Sequence, residues 1–123
     1  MNPFPAPETV VQRQLDAYNA RDLDAILATY AANAQQFEHP GKLIASGQSA
    51  IRERMAIRFQ EKNLHAKLIQ RVVMGHIVID HEEVTRSFPE GTGTCKMVAI
   101  YEVREGLIQS ASVAISDKIL DAQ

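Results

Sequence analysis

The second half of the chain most constrains the fold, because it is four long strand-type stretches, residues 65–74, 76–88, 94–104 and 107–116, separated only by short turn signals. Gly75, Pro89-Glu90-Gly91 and Glu105-Gly106 supply those turns, and successive strands joined so tightly must run antiparallel. A meander of this length has one face to bury and needs a layer to bury it against. The first half provides that layer. Residues 8–20 carry Val11, Leu15 and Tyr18 at helical spacing, opposite Gln12, Arg13 and Asp16. Asp22 is placed as the N-cap of a second, shorter helix with Leu23, Ile26, Leu27 and Tyr30 on one stripe. Short extended pieces at residues 35–39 and 42–45 flank Pro40-Gly41. A third helix over residues 48–62 presents Ile51, Met55 and Phe59 along one side. Helices first and a meander after define an α+β fold, the helices on one face of a sheet whose curvature leaves a cone between the layers.

A chain of 123 residues is one domain by length, and the pattern places it at residues 8–119, with a flexible N-terminal tail at 1–7 and a C-terminal tail at 120–123. With 46% hydrophobic and 23% charged residues, it is composed as a globular protein. A net charge of −2 without a basic block lacks the electrostatic footprint of a nucleic-acid binder, and the apolar runs are too short for a bilayer. The single cysteine, Cys95, excludes an internal disulfide and fits a reducing compartment, so a cytoplasmic protein is expected. Three prolines in the first seven residues stand where a secretory signal would need a cationic start and an apolar core.

Two polar clusters interrupt this pattern. Glu38-His39-Pro40-Gly41 sets a carboxylate and an imidazole beside a stiff turn, two groups that exchange protons once burial tunes them. Asp80-His81-Glu82-Glu83 breaks an otherwise apolar strand. Alternation puts Asp80 and Glu82 on one face and His81 and Glu83 on the other, and only one pair can look into the cone. Asp80 or His81 facing Glu38 or His39 would make a base with its orienting partner, Glu82 and Glu83 being read more as solvated. The four histidines, His39, His65, His76 and His81, follow no zinc spacing, so no metal is expected.

The segments Val10-Val11-Gln12-Arg13, Tyr18-Asn19-Ala20-Arg21-Asp22-Leu23-Asp24-Ala25-Ile26, Ser46-Gly47-Gln48-Ser49-Ala50-Ile51-Arg52-Glu53 and Ala99-Ile100-Tyr101-Glu102-Val103-Arg104-Glu105-Gly106 resemble the nuclear transport factor 2-like superfamily, in its SnoaL-like and steroid Δ-isomerase-like branch. The resemblance spans nearly the whole chain. It implies a conical barrel, an apolar pocket and, as is usual there, a homodimer formed through the sheet; no cofactor is expected. Carried over from the isomerases, the general base falls on Glu38 or His39, and the position of the oxyanion tyrosine falls on Gln14, with Tyr18 a turn further on. The oxyanion aspartate falls on Ala99 or Ile100, so both oxyanion groups of steroid isomerisation are replaced and that reaction is not expected. The resulting expectation is a small, largely apolar ligand lined by Gln14, Tyr18, Tyr30, Met55, Phe59 and Ile100, with acid–base proton transfer or hydrolysis at Glu38, His39, Asp80 and His81. The rival is a ligand-binding or dimerisation module without chemistry.

Overall fold

A computed structural model describes residues 3–121, so the outermost two residues of each expected tail lie outside the described residues. Helix α1 (Pro7–Ala20) opens on Pro7, whose fixed φ and missing N–H suit a first helical turn. It stops at Arg21, which takes the left-handed conformation (φ 54°) and donates its N–H to the last turn. Helix α2 (Leu23–Leu27) starts as expected at Asp22, whose carboxylate accepts from the Ala25 N–H at 3.0 Å.

Strand β1 (Tyr30–Glu38) follows at once, so Tyr30 begins a strand and does not end a helical stripe. The capped turns of α2 need a longer run of apolar spacing to propagate, and Thr29 instead turns its hydroxyl back onto the Ile26 carbonyl at 2.6 Å. Strand β2 (Lys42–Ser46) returns beside β1 across a turn with a cis His39–Pro40 bond. Helix α3 (Gln48–Arg58) is shorter than its apolar spacing suggests, ending at Phe59. Strands β3 (His65–Met74), β4 (Ile77–Phe88), β5 (Gly91–Arg104) and β6 (Leu107–Ile115) then form the meander, with β5 and β6 joined by Glu105-Gly106, both at positive φ (53° and 75°). A two-residue strand, β7 (Ile119–Leu120), pairs with the start of β5, so that Leu120, the first residue of the expected C-terminal tail, lies on the sheet. At the other end, Phe4 and Pro5 lie against Gly106.

The strand order β2-β1-β6-β5-β4-β3 is antiparallel throughout, except that β1 runs parallel to β6. The sheet is curved and unclosed, with the helices packed on its concave face, the cone of the nuclear transport factor 2-like fold. The main core joins Val10, Val11, Ile26, Leu27, Ile51 and Met55 from the helices to Val78, Ala99, Val103 and Ile108 from the sheet. Leu15, Ala66, Val84 and Cys95 form a second cluster at the other end of β4. Cys95 is thus packing material, its thiol pushed up by burial.

Irregular pairing decides which side chains of the edge strands face the cone. On β3 the register slips between Leu68 and Gln70, so Ile69 is an extra residue and every side chain beyond it changes face. Register also shifts between Gln36 and Phe37 against β2, and between Glu102 and Val103 against β6.

Candidate functional site

The mouth of the cone opens onto a small cavity of about 60 Å³, lined from α1 by Gln14 and Tyr18, from α3 by Arg54, Met55 and Arg58, and from the sheet chiefly by Tyr30, Gln36, Met97, Tyr101 and Val113. Apolar and polar groups are segregated within it. Met55, Met97, Ala111, Val113 and Ile115 give the apolar wall. Along the other wall runs a polar chain. Arg54 Nη1 donates to Gln36 Oε1 at 2.9 Å, and Gln36 Nε2 donates to the Tyr30 hydroxyl at 3.2 Å. The Tyr101 hydroxyl donates to Gln14 Oε1 at 3.3 Å.

Burial raises the pKa values of Tyr18, Tyr30 and Tyr101, so all three stay neutral phenols at physiological pH. For Tyr18 the rise is offset in part by the neighbouring Arg58 guanidinium. Arg54 is lowered, first by burial and then by repulsion from Arg58.

Strand β4 contributes the acids. Val78, Asp80, Glu82 and Val84 are all buried, so the even-numbered face is the concave one. Asp80 is fully buried and held by Arg71 in a two-point pair, Nε–Oδ1 at 2.7 Å and Nη2–Oδ2 at 2.9 Å. Arg71 reaches inward only because of the extra residue at Ile69. Without it, Arg71 would share a face with outward-pointing Lys67 and leave a buried carboxylate uncompensated. Gln12 also accepts from Arg71, at 2.9 Å, fixing the pair to α1.

Glu82, 2% exposed, has no such partner: among the described residues no side chain or backbone donor reaches its carboxyl group. Burial, with the Asp80 charge adding to it, pushes its pKa up to about 7 against a partial opposing effect of Arg71. Glu82 is not itself in the lining but pairs across the sheet with Met97, which is, and its charge is felt by Tyr18, Tyr30 and Tyr101. The solvated role expected for it is therefore overturned. The signal was in the strand itself: Val84, beyond the cluster, shares its parity with Glu82.

Of the expected lining residues, Gln14, Tyr18, Tyr30 and Met55 do surround the cavity. Phe59 stands behind it, its ring edge-on to Tyr18 with centroids 5.8 Å apart. Ile100 is outside altogether, 40% exposed and opposite Ile79 and Ser112 on the convex face, because it has the opposite parity to buried Ala99 and Tyr101. His81 is on that same outer face, so it does not orient a base in the cone.

Glu38 and His39 are exposed and outside the lining. Glu38 ends β1 in register with Val113, at the rim, while the His39 N–H is engaged by the Val113 carbonyl at 2.8 Å. Asp80, committed to Arg71, does not pair with either. Arg54, Arg58, Gln36 and Tyr101 are site residues that the sequence did not single out. Among the described residues, no cluster of His, Cys, Asp or Glu is arranged to hold a metal ion, and no helix is long and apolar enough to cross a membrane.

Residues 11–111 match the family model for the SnoaL-like domain. No curated protein sequence matches the chain. Among solved structures, an uncharacterised cystatin-fold protein of Novosphingobium aromaticivorans superposes with a TM-score of 0.82 at 21% identity, covering 89% of this chain and 97% of its own. A proposed SnoaL-like polyketide cyclase of Jannaschia sp. CCS1 gives 0.78 at 15% identity, covering 89% and 85%. A proposed polyketide cyclase of Sinorhizobium meliloti gives 0.71 at 21%, covering 85% and 93%. At these identities the likeness is one of fold.

Proposed function

The chain belongs to the SnoaL-like domain family, and from that premise we propose that its cone binds a small, largely apolar molecule and moves a proton on it, in an isomerase- or cyclase-type reaction. The observation that carries this reading is Glu82, a carboxyl group near pKa 7 behind a cavity that is apolar on one wall and lined by neutral hydroxyls and amides on the other. A general base works best when its pKa lies near the working pH, and burial brings Glu82 there. For the step, the Met97 side chain beside Glu82 moves aside, and the ionised carboxylate accepts a proton from a carbon next to a substrate carbonyl and becomes the neutral acid. The electron pair moves to the carbonyl oxygen, where Tyr18 and the Gln14 amide offer polar hydrogens. Returning the proton to another carbon completes an isomerisation, whereas attack of the deprotonated carbon on a second carbonyl, whose oxygen takes the proton back from Glu82, completes a ring closure.

Glu38 supports a second reading, because its register with Val113 puts a carboxylate at the cavity's rim. The two are separated with 5-nitrobenzisoxazole, whose base-catalysed ring opening reports proton abstraction from carbon as a colour change. The expected outcome is a rate that rises through about pH 7 as Glu82 ionises. Glu82→Gln should then lower that rate at least ~100-fold, and Glu38→Gln should leave it within about twofold. The reverse pattern assigns the base to Glu38. Activity unchanged in both variants assigns the base to neither acid, and a wild type no faster than buffer leaves a binding module without chemistry.

A homodimer formed through the convex face of the sheet belongs to the same reading. There Val72, Ile79 and Ile100 lie in one row across β3, β4 and β5, with Val98 beside them, and three of the four are 37–49% exposed.

A further inference from the structure

We propose that the molecule held in the cone is an amphipathic anion, an apolar body ending in a carboxylate, and that Arg54 receives that carboxylate. The inference rests on the reading of the cone as a small-molecule site and adds the chemical class of what enters it.

The lining contains two guanidinium groups and no carboxylate. Arg58 is neutralised from outside the cavity by Glu61 at 3.4 Å. Arg54 is different. Among the described residues it makes no ion pair, and its one side-chain partner is the neutral amide oxygen of Gln36, engaged through Nη1 alone. The other cationic side chains turned inward find an acid: Arg71 meets Asp80, and Arg86 meets Glu61 through two contacts of 2.8 and 3.2 Å. A part-buried guanidinium left without its anion is costly unless something supplies one, and its planar fork matches a carboxylate through two parallel N–H bonds.

The side chains around Arg54 leave that fork open. Gln36 turns its oxygen to Arg54 and its amide hydrogens to Tyr30, and it engages Arg54 through Nη1 only, leaving Nε and Nη2 for a ligand. Glu82 is not among the lining residues, although its β5 partner Met97 is, and among the described residues no ion pair joins it to Arg54. A ligand oriented by Arg54 therefore lays its apolar body along Met55, Met97 and Val113.

The test is binding of three matched probes, 2-naphthoate, 2-acetylnaphthalene and protonated 2-naphthylmethylamine, titrated at pH 7.5 into wild type, Arg54→Met, Arg54→Lys and Arg58→Met. Wild type should bind 2-naphthoate about tenfold or more tightly than the neutral ketone, the range of a charge-assisted hydrogen bond, and the amine most weakly. Arg54→Met should erase the preference for the anion while keeping the ketone's affinity, Arg54→Lys should keep part of it, and Arg58→Met should keep most. Equal affinity for anion and ketone in wild type, or a preference that survives Arg54→Met, overturns the proposal and leaves the cone as a neutral-ligand site. If none of the three probes binds, the small-molecule reading itself falls. Should Arg54→Met not fold, a full preference in Arg54→Lys equally overturns the two-point contact.

Discussion

Glu82 and Asp80 sit two residues apart on one face of one strand and have opposite fates, because one has a cation and the other does not. Arg71 closes on Asp80 with both ends of its fork, while Glu82 keeps its proton to an unusually high pH. An acid whose pKa is raised on folding holds its proton more tightly in the native state than in the unfolded chain, so stability falls as pH rises between the two values. For Glu82 that window runs from about 4.5 to about 7, and the integrated loss is on the order of 3 kcal/mol. Glu82→Gln should therefore be more stable than wild type at pH 8 by roughly that amount and no more stable at pH 4. Urea titrations at both pH values check this, and parallel curves for the two proteins would place Glu82 in contact with water. Glu61 works the other way. Although burial raises its pKa, the Arg86 and Ser87 hydrogen bonds outweigh this and hold it low, so its contribution is lost only at more acidic pH, outside the Glu82 window.

At the scale of the elements, the meander was legible and the faces were not. Strand β3 begins and ends where its sequence says, and Asp22 caps α2 as its type demands. Alternation alone gave two equivalent answers for β4, and the carry-over from the isomerases placed Ile100 inside when its neighbours Ala99 and Tyr101 are the buried ones. The extra residue at Ile69 could not be read at all, since a bulge depends on the partner strand. The same holds for the joint between layers. Asn19, near the end of α1, accepts from the Ala66 N–H at 2.8 Å and donates to its carbonyl at 2.9 Å, replacing a strand partner along the edge of β3. Asn19→Ala strands both backbone groups and should cost about 2 kcal/mol, seen as a lower urea midpoint with an unchanged slope. Asn19→Asp, which keeps the acceptor and loses the donor, should lie between the two.

For the molecule as a whole, the curved sheet presents two surfaces of different chemistry. Its concave side carries the cavity and the buried acids of β4, and its convex side carries the Val72, Ile79 and Ile100 row. Ile100→Glu should break the proposed dimer without touching the cone, so light scattering should show the mass halving while 2-acetylnaphthalene binding is retained. A wild-type protein that already runs as a monomer at micromolar concentration would remove the dimer from the account. The two surfaces are kept apart by nothing but odd and even numbering along β4. Delete one residue before Val78, and an imidazole with a second glutamate would enter the hollow in place of the present acids, while Val78 and Val84 turned outward. The register of β4 is therefore held by both of its faces at once, since a shift of one residue would exchange its acids, part Arg71 from Asp80 and unpack the core.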